Sequence, residues 1–122
     1  MPKRWIDLLR WGYWAFVLVV LVATTGPISE PPGPEGSDKW EHFVTFYLLA
    51  LGAVVLFPRR ALWQAAGAVI LYGGLIELIQ GLPFVHRDRS LYDWLADIVG
   101  ALGAVIPFAV SGLRARVALG KS

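Results

Sequence analysis

The stretch Tyr72–Gly100, which reads YGGLIELIQGLPFVHRDRSLYDWLADIVG, decides the fold. Two apolar runs flank a short polar loop, and each run contains embedded polar side chains. These are Glu77 and Gln80 in the first run, and Asp93 and Asp97 in the second. Carboxylates are costly inside helices that are otherwise compatible with lipid, so they usually mark a functional interior. The stretch therefore predicts two transmembrane helices that turn a polar face toward the inside of a bundle.

The composition of the whole chain indicates a membrane protein. The 122 residues are 57% hydrophobic and only 16% charged, and the mean hydropathy is +0.58. The chain has no cysteine, which excludes a disulfide framework and a thiolate metal site. Its net charge of +2 gives no reason to expect nucleic-acid binding. We expect one polytopic helical domain that spans residues 1–122.

Four apolar segments predict an all-α, antiparallel bundle of four transmembrane helices. The segment from Trp11 to Ser29 has no charged residue and is long enough to cross most of a hydrocarbon core of about 30 Å. We expect it to be a retained helix rather than a cleaved signal peptide, because it is long and flanked by tryptophan. The predicted helices cover approximately residues 5–26, 39–57, 61–82 and 90–112.

The distribution of lysine and arginine predicts the orientation of these helices. The two termini and the turn at residues 58–60 lie on one side of the predicted bundle and hold eight of the eleven basic residues. Cytoplasmic loops carry the excess of lysine and arginine. We therefore expect a multi-pass protein of the bacterial cytoplasmic membrane, with both termini in the cytoplasm and the loops near residues 26–41 and 83–89 facing outward.

Three embedded ionisable residues are predicted to lie at one depth. A separation of seventeen residues from a cytoplasmic basic residue recurs three times, in the pairs His42–Arg59, Arg60–Glu77 and Asp97–Arg114. Seventeen helical residues span about 25 Å, which places all three polar groups just inside the outer boundary of the hydrocarbon. Their polar neighbours Lys39, Gln80 and Asp93 lie three or four residues away and share the same helix faces. The pattern predicts one outward-facing polar pocket between the second, third and fourth helices.

Nine residues form the predicted ligand-binding set of this pocket. They combine basic groups suited to phosphate with acids, an amide and an imidazole suited to sugar or peptide groups. Ser90 is also the expected N-cap of the fourth helix. The set is Lys39, His42, Glu77, Gln80, Arg87, Arg89, Ser90, Asp93 and Asp97.

At these residues the chain resembles the VanZ-like family, small membrane proteins named for a teicoplanin-resistance protein. The resemblance covers roughly residues 38–105 and depends on the order and spacing of several short motifs. In this chain they are Asp38-Lys39-x-x-His42-Phe43, Phe46, Leu49, Glu77-x-x-Gln80, Arg87, Ser90-Leu91-x-Asp93, position 97, Gly100 and Gly103.

Two positions depart from the family pattern, which often has Tyr where this chain has Phe46 and Asn where it has Asp97. The resemblance implies a link to low-level resistance against lipid-bearing glycopeptides, and no reaction is attached to the family. From it and from the polar residues together, we expect the pocket to bind a lipid-linked or lipid-bearing molecule of the cell envelope. The expected partner is a membrane lipid, a lipid-linked envelope precursor or a lipoglycopeptide.

Two other functional interpretations remain open. An enzyme acting on a lipid head group would use His42 as base, with Asp93 and Glu77 as further catalytic candidates, but the sequence has no cysteine and no G-x-S-x-G nucleophile. A structural ion-pair network without any ligand would use the same charges. We expect no metal, since Lys39, Arg87 and Arg89 would repel it, and no cofactor.

Overall fold

The computed structural model describes residues 2–25, 37–82, 91–112 and 114–119, with the side chains of residues 25, 37–39 and 91 outside that description. The described residues form helices and short connections and contain no strand, so the all-α prediction is confirmed. The helices are α1 (Lys3–Thr25), α2 (Ser37–Leu56), α3 (Leu62–Gln80), α4 (Leu91–Ser111) and the short α5 (Arg114–Val117).

The first four helices differ from the predicted spans by one or two residues at each end. The turn between α2 and α3 contains Pro58, and the backbone N–H of Arg60 closes it by donating to the Phe57 carbonyl at 3.1 Å. Proline cannot continue the ladder of helical hydrogen bonds, which explains why α2 ends just before it. The helix α5 was not predicted, because four residues leave no hydrophobic period to detect.

Among the described residues, three helices are long and apolar enough to cross a membrane: Lys3–Thr24, Leu62–Gln80 and Tyr92–Ser111. Within α2, the shorter segment Trp40–Leu56 is also apolar. Many large apolar side chains point away from the bundle. Exposed aliphatic side chains are favourable when they contact lipid rather than water. Examples are Leu18, Leu71, Leu75, Leu78 and Val110. These features identify a membrane protein.

Side-chain contacts between helices define two ends of the bundle. The ends of α1 and α3 meet the beginnings of α2 and α4 at one end, where His42, Glu77, Asp93 and Asp97 lie; we call it the carboxylate end. The opposite end holds Arg10, Arg59, Arg60 and Arg114, and we call it the basic end. Consecutive helices run antiparallel, whereas α2 and α4 run in the same direction side by side.

The closest packing in the bundle is between α2 and α4. A Cβ atom added to Gly100 would lie 2.4 Å from the backbone carbonyl oxygen of Phe43, so only glycine allows the two backbones to approach this closely. Ala50, Val54 and Ala101, from the same two helices, are fully buried in the core. Gly100 is therefore a close-packing site, and this contact holds the polar faces of α2 and α4 together.

Arginine side chains complete the helix ends at the basic end. Arg114 donates from Nε to the Val54 carbonyl at 3.0 Å and from Nη2 to the Phe57 carbonyl at 2.9 Å. Arg10 donates from Nε to the Leu56 carbonyl at 2.8 Å. The last carbonyls of a helix have no intrahelical donor and carry partial negative charge, so cations stabilise them. The basic residues of this end therefore also secure the end of α2.

Candidate functional site

The site is built around His42, which α2 places between two carboxylates of α4. Its Nδ1 lies 2.9 Å from Asp97 Oδ1, a hydrogen-bond distance, and its Nε2 lies 3.8 Å from Asp93 Oδ2. Asp93 and Asp97 are four residues apart, so they project from the same face of α4. The structure therefore brings together three of the predicted site residues from two helices.

These polar side chains are buried to a degree that is rare for ionisable groups. Asp97 is 0% exposed, Glu77 is 6% exposed and Asp93 is 7% exposed. Glu77 comes from α3 and lies within electrostatic range of the His42 imidazole. Burying charge is expensive unless it is paired, and His42 can supply the positive partner. We call His42, Glu77, Asp93 and Asp97 the carboxylate cluster.

Phe46 and Gly73 shape the inner wall of the carboxylate cluster. The ring of Phe46 is 1% exposed and stacks on His42 with a centroid separation of 6.5 Å. A Cβ atom at Gly73 would lie 2.7 Å from Asp97 Oδ2 and 3.1 Å from the Phe46 ring, so the absence of a side chain leaves the space that the carboxylate fills. Asp97 Oδ2 has no hydrogen-bond partner among the described residues. Sequence reasoning missed this role of Gly73, since glycine in a membrane helix signals close packing in general but not what fills the space.

Gln80 connects the site to α1. Its Nε2 donates to the Thr24 carbonyl at 2.8 Å, and its Oε1 has no hydrogen-bond partner within the described part of the chain. From the sequence, α1 is expected to be only a packing wall, because it has no polar stripe. The structure differs because α1 contributes a backbone carbonyl, which no side-chain pattern reveals.

Trp94 adds a further link between α3 and α4 that sequence reasoning did not assign. Its indole Nε1 donates to the Ile70 carbonyl at 3.0 Å, and its ring lies over Gly74, where an added Cβ atom would be 3.4 Å away. The buried part of a tryptophan needs a partner for its N–H group. Trp94 therefore helps to hold α4 in the register that presents Asp93 and Asp97 to His42.

Four members of the predicted ligand-binding set lie outside the described residues or side chains. Lys39 belongs to α2 by its backbone, but its side chain is not described, and the other three fall in residues 83–90. The four are Lys39, Arg87, Arg89 and Ser90. Their part in the site stays a prediction from the sequence.

The geometry of His42 limits the chemistry available to the cluster. One ring nitrogen is engaged by Asp97, which fixes the ring orientation, and the other faces Asp93 at a distance beyond a normal hydrogen bond. Such a ring can exchange a proton or donate a hydrogen bond toward a ligand at Nε2. Within the described chain, no group of three or more His, Asp or Glu side chains is arranged to hold a metal ion.

Comparisons with known proteins identify no relative of this chain. No family model matches it, and neither the curated proteins nor the solved structures include a match. The resemblance to the VanZ-like family therefore stays a prediction from the residue pattern. What the molecule itself shows is a helical membrane protein with an imidazole and three buried carboxylates at one end.

Proposed function

We propose that this protein spans the bacterial cytoplasmic membrane four times and uses its carboxylate end, facing outward, to bind a lipid-linked or lipid-bearing molecule of the cell envelope. The observation that carries the proposal is the burial of Glu77, Asp93 and Asp97 around His42 at one end of apolar helices. Ionisable groups within membrane helices are functional candidates by default, because their burial is expensive.

The proposed topology is supported by helix order and by charge. The 20 residues of α2 extend about 30 Å at 1.5 Å per residue, enough to span with its neighbours although its apolar segment is short. Seven described basic residues cluster at the basic end or in α5 beside it, which the positive-inside rule assigns to the cytoplasm. They are Lys3, Arg4, Arg10, Arg59, Arg60, Arg114 and Arg116. Both termini are then cytoplasmic and the carboxylate end faces outward.

The depth of each polar group suggests a division of roles. Asp97 is fully buried and bonded to His42, so it orients the imidazole rather than contacting a ligand. Asp93 and Gln80 lie nearer the outer ends of their helices, and the Gln80 Oε1 acceptor has no partner among the described residues. Hydroxyl, amide and ammonium groups of a polar head could donate there while an attached acyl or prenyl chain stays in the membrane.

The VanZ-like resemblance supports the ligand class. Teicoplanin-type lipoglycopeptides and lipid-linked envelope precursors both combine a polar sugar or peptide part with a hydrocarbon tail. An outward polar cluster beside lipid-exposed helices matches both parts of such a molecule. The predicted cations Lys39, Arg87 and Arg89 would add phosphate recognition at the same end.

Native mass spectrometry of the full chain, purified from a bacterial membrane, tests the proposal. Glu77→Gln keeps the size of the side chain and removes its charge. Glu41→Gln is the matched control, because Glu41 is exposed on α2 at the same end. We expect Glu77→Gln to lower the occupancy of co-purified envelope lipid, and the affinity for added teicoplanin, at least tenfold, while Glu41→Gln changes neither. Equal lipid occupancy and equal teicoplanin affinity in the native protein, Glu77→Gln and Glu41→Gln would contradict the proposal.

An enzyme acting on a lipid head group is the second candidate, and the Asp97–His42 pair is the observation that favours it. Asp97 holds Nδ1, and Nε2 faces Asp93 at 3.8 Å, beyond a normal hydrogen bond, so Nε2 could accept a proton as a general base does. Incubation with radiolabelled envelope lipids, followed by chromatography, should show turnover in the native protein and none in His42→Gln. Absence of any product in the native protein would contradict the enzymatic candidate.

A further inference from the structure

A concave site lies toward the basic end, on the other side of Phe46 and Tyr72 from the carboxylate cluster. It is a cleft of about 550 Å³ between α1, α2 and α3. Trp14 and Val17 form one wall, and Ala68 and Val69 form another. Trp14 and Ala68 are exposed, so the cleft is accessible sideways from the surrounding membrane. Nothing proposed above for the outward-facing end uses this space.

The polar groups inside the cleft are already bonded within the protein. The Tyr13 hydroxyl donates to the Leu49 carbonyl at 2.8 Å, and the Tyr72 hydroxyl donates to the Val17 carbonyl. At the mouth, Gln64 Oε1 accepts a hydrogen bond from the Ala61 backbone N–H at 2.9 Å. An occupant therefore meets mostly hydrocarbon and aromatic ring, which favours an alkyl chain and disfavours a polar molecule.

Arg60 lies at the mouth and is available for an anion. Its side chain is exposed and makes no ion pair or hydrogen bond with the described residues. By contrast, Arg10 and Arg114 are engaged with backbone carbonyls at the same end. Guanidinium binds phosphate oxygens through two parallel hydrogen bonds, so Arg60 suits a phosphodiester.

We propose that the cleft binds one acyl chain of an anionic glycerophospholipid whose phosphate lies against Arg60. The charge of the basic end and the apolar, laterally open interior specify both halves of this ligand. A bound acyl chain would fill the space between α1 and the α2–α3 pair. The site depends on the protein lying in a bilayer, but not on the ligand of the carboxylate end.

Titration of the full chain in detergent with single lipids, followed by native mass spectrometry, tests the site. The probes are dioleoyl phosphatidylglycerol, which is anionic, and dioleoyl phosphatidylcholine, which is zwitterionic. We expect the native protein to bind one phosphatidylglycerol at least tenfold more tightly than phosphatidylcholine. Equal affinity for the two lipids would overturn the proposal.

Two variants separate the contributions of head group and chain. Arg60→Gln should abolish the preference for phosphatidylglycerol. Arg116 is an exposed arginine of α5, and Arg116→Gln should keep that preference. Ala68→Phe should lower occupancy by both lipids at least tenfold, and Ala109→Phe, at an exposed position of α4 outside the cleft, should not. Retained phosphatidylglycerol preference in Arg60→Gln would overturn the proposal, and so would unchanged binding by Ala68→Phe. If Ala68→Phe does not fold, the Arg60→Gln comparison decides alone.

The same spectra distinguish a second copy of the chain from a lipid. If the cleft is an interface between copies, the native protein should appear as a dimer that Ala68→Phe dissociates, with no lipid preference, and that result would overturn the proposal. Binding of teicoplanin or envelope lipid at the other end should be unaffected by Arg60→Gln. The experiments can therefore disprove lipid binding in the cleft without disproving ligand binding at the carboxylate end, and the reverse.

Discussion

The two ends of the bundle differ in the burial of their charged side chains. At the carboxylate end, Glu77, Asp93 and Asp97 are buried between helices around one imidazole. At the basic end, Arg59 and Arg60 are exposed, and the engaged arginines complete helix ends. Exposed charges and helix caps cost little, whereas buried ion pairs can often be replaced by apolar side chains without loss of stability. A bundle does not need buried carboxylates to fold, which is why the carboxylate end is the stronger candidate for function.

The largest predicted effect comes from removing the imidazole. His42→Leu keeps a similar volume but leaves Asp97 as a buried charge without its partner, so we expect unfolding to become easier by about 3–5 kcal/mol. Arg60→Gln, which removes an exposed charge at the basic end, should change stability by less than about 0.5 kcal/mol. Unfolding in mixed micelles by SDS, followed by circular dichroism, measures both.

A double variant tests the cause of that loss. Adding Asp97→Asn to His42→Leu removes the uncompensated charge at nearly constant shape and should recover more than half of the stability. If the double variant is no more stable than His42→Leu, then lost packing against Phe46 rather than electrostatics is responsible. The two ends of the bundle would then differ less in how strongly their charged groups affect stability.

The next effect concerns the space that Gly73 leaves for Asp97. Gly73→Ala would place a methyl group 2.7 Å from Asp97 Oδ2, and we expect a loss of about 1–3 kcal/mol from overpacking. Gly67 is the matched control on the same helix, since a Cβ atom there would meet nothing within 4 Å. Gly67→Ala should be neutral or stabilising by up to about 1 kcal/mol. Similar melting temperatures for the two variants would contradict the close contact around Asp97.

At the basic end, Arg114→Ala should cost less than the changes at the carboxylate cluster. It removes two charged hydrogen bonds, at 3.0 and 2.9 Å, to the carbonyls of Val54 in α2 and of Phe57 just after it, and partial exposure limits the loss to about 1–2 kcal/mol. Arg116→Ala is the control, as Arg116 is exposed on the same short helix. A loss larger than that of His42→Leu would mean that the basic end contributes more to stability than the carboxylate end.

Four apolar segments predicted the helices, and the spacing of polar side chains along them predicted that His42 meets Asp93 and Asp97. His42, Asp93 and Asp97 meet at one level of the bundle because a regular rise per residue converts sequence separation into height, while their depth in a membrane stays a prediction. Contacts to backbone carbonyls could not be predicted: Gln80 to Thr24 and Arg114 to Val54 leave no trace in the residue pattern. The apolar cleft could not be predicted either, because an open space between helices is a property of their packing and not of any residue type.

The smallest predicted effect separates a structural role of Gln80 from a role in binding. Gln80→Met keeps the length of the side chain and loses the hydrogen bond to the Thr24 carbonyl, which should cost about 0.6 kcal/mol, the average for such bonds within a membrane. Amide hydrogen exchange should rise near the end of α1 and stay unchanged near Tyr13, where the hydroxyl still bonds the Leu49 carbonyl. If Gln80 only ties α1 to α3, teicoplanin or lipid affinity will fall by no more than the stability does. If its Oε1 also accepts a hydrogen bond from the ligand, affinity will fall at least tenfold, and the carboxylate end will then differ from the basic end in function as well as in charge.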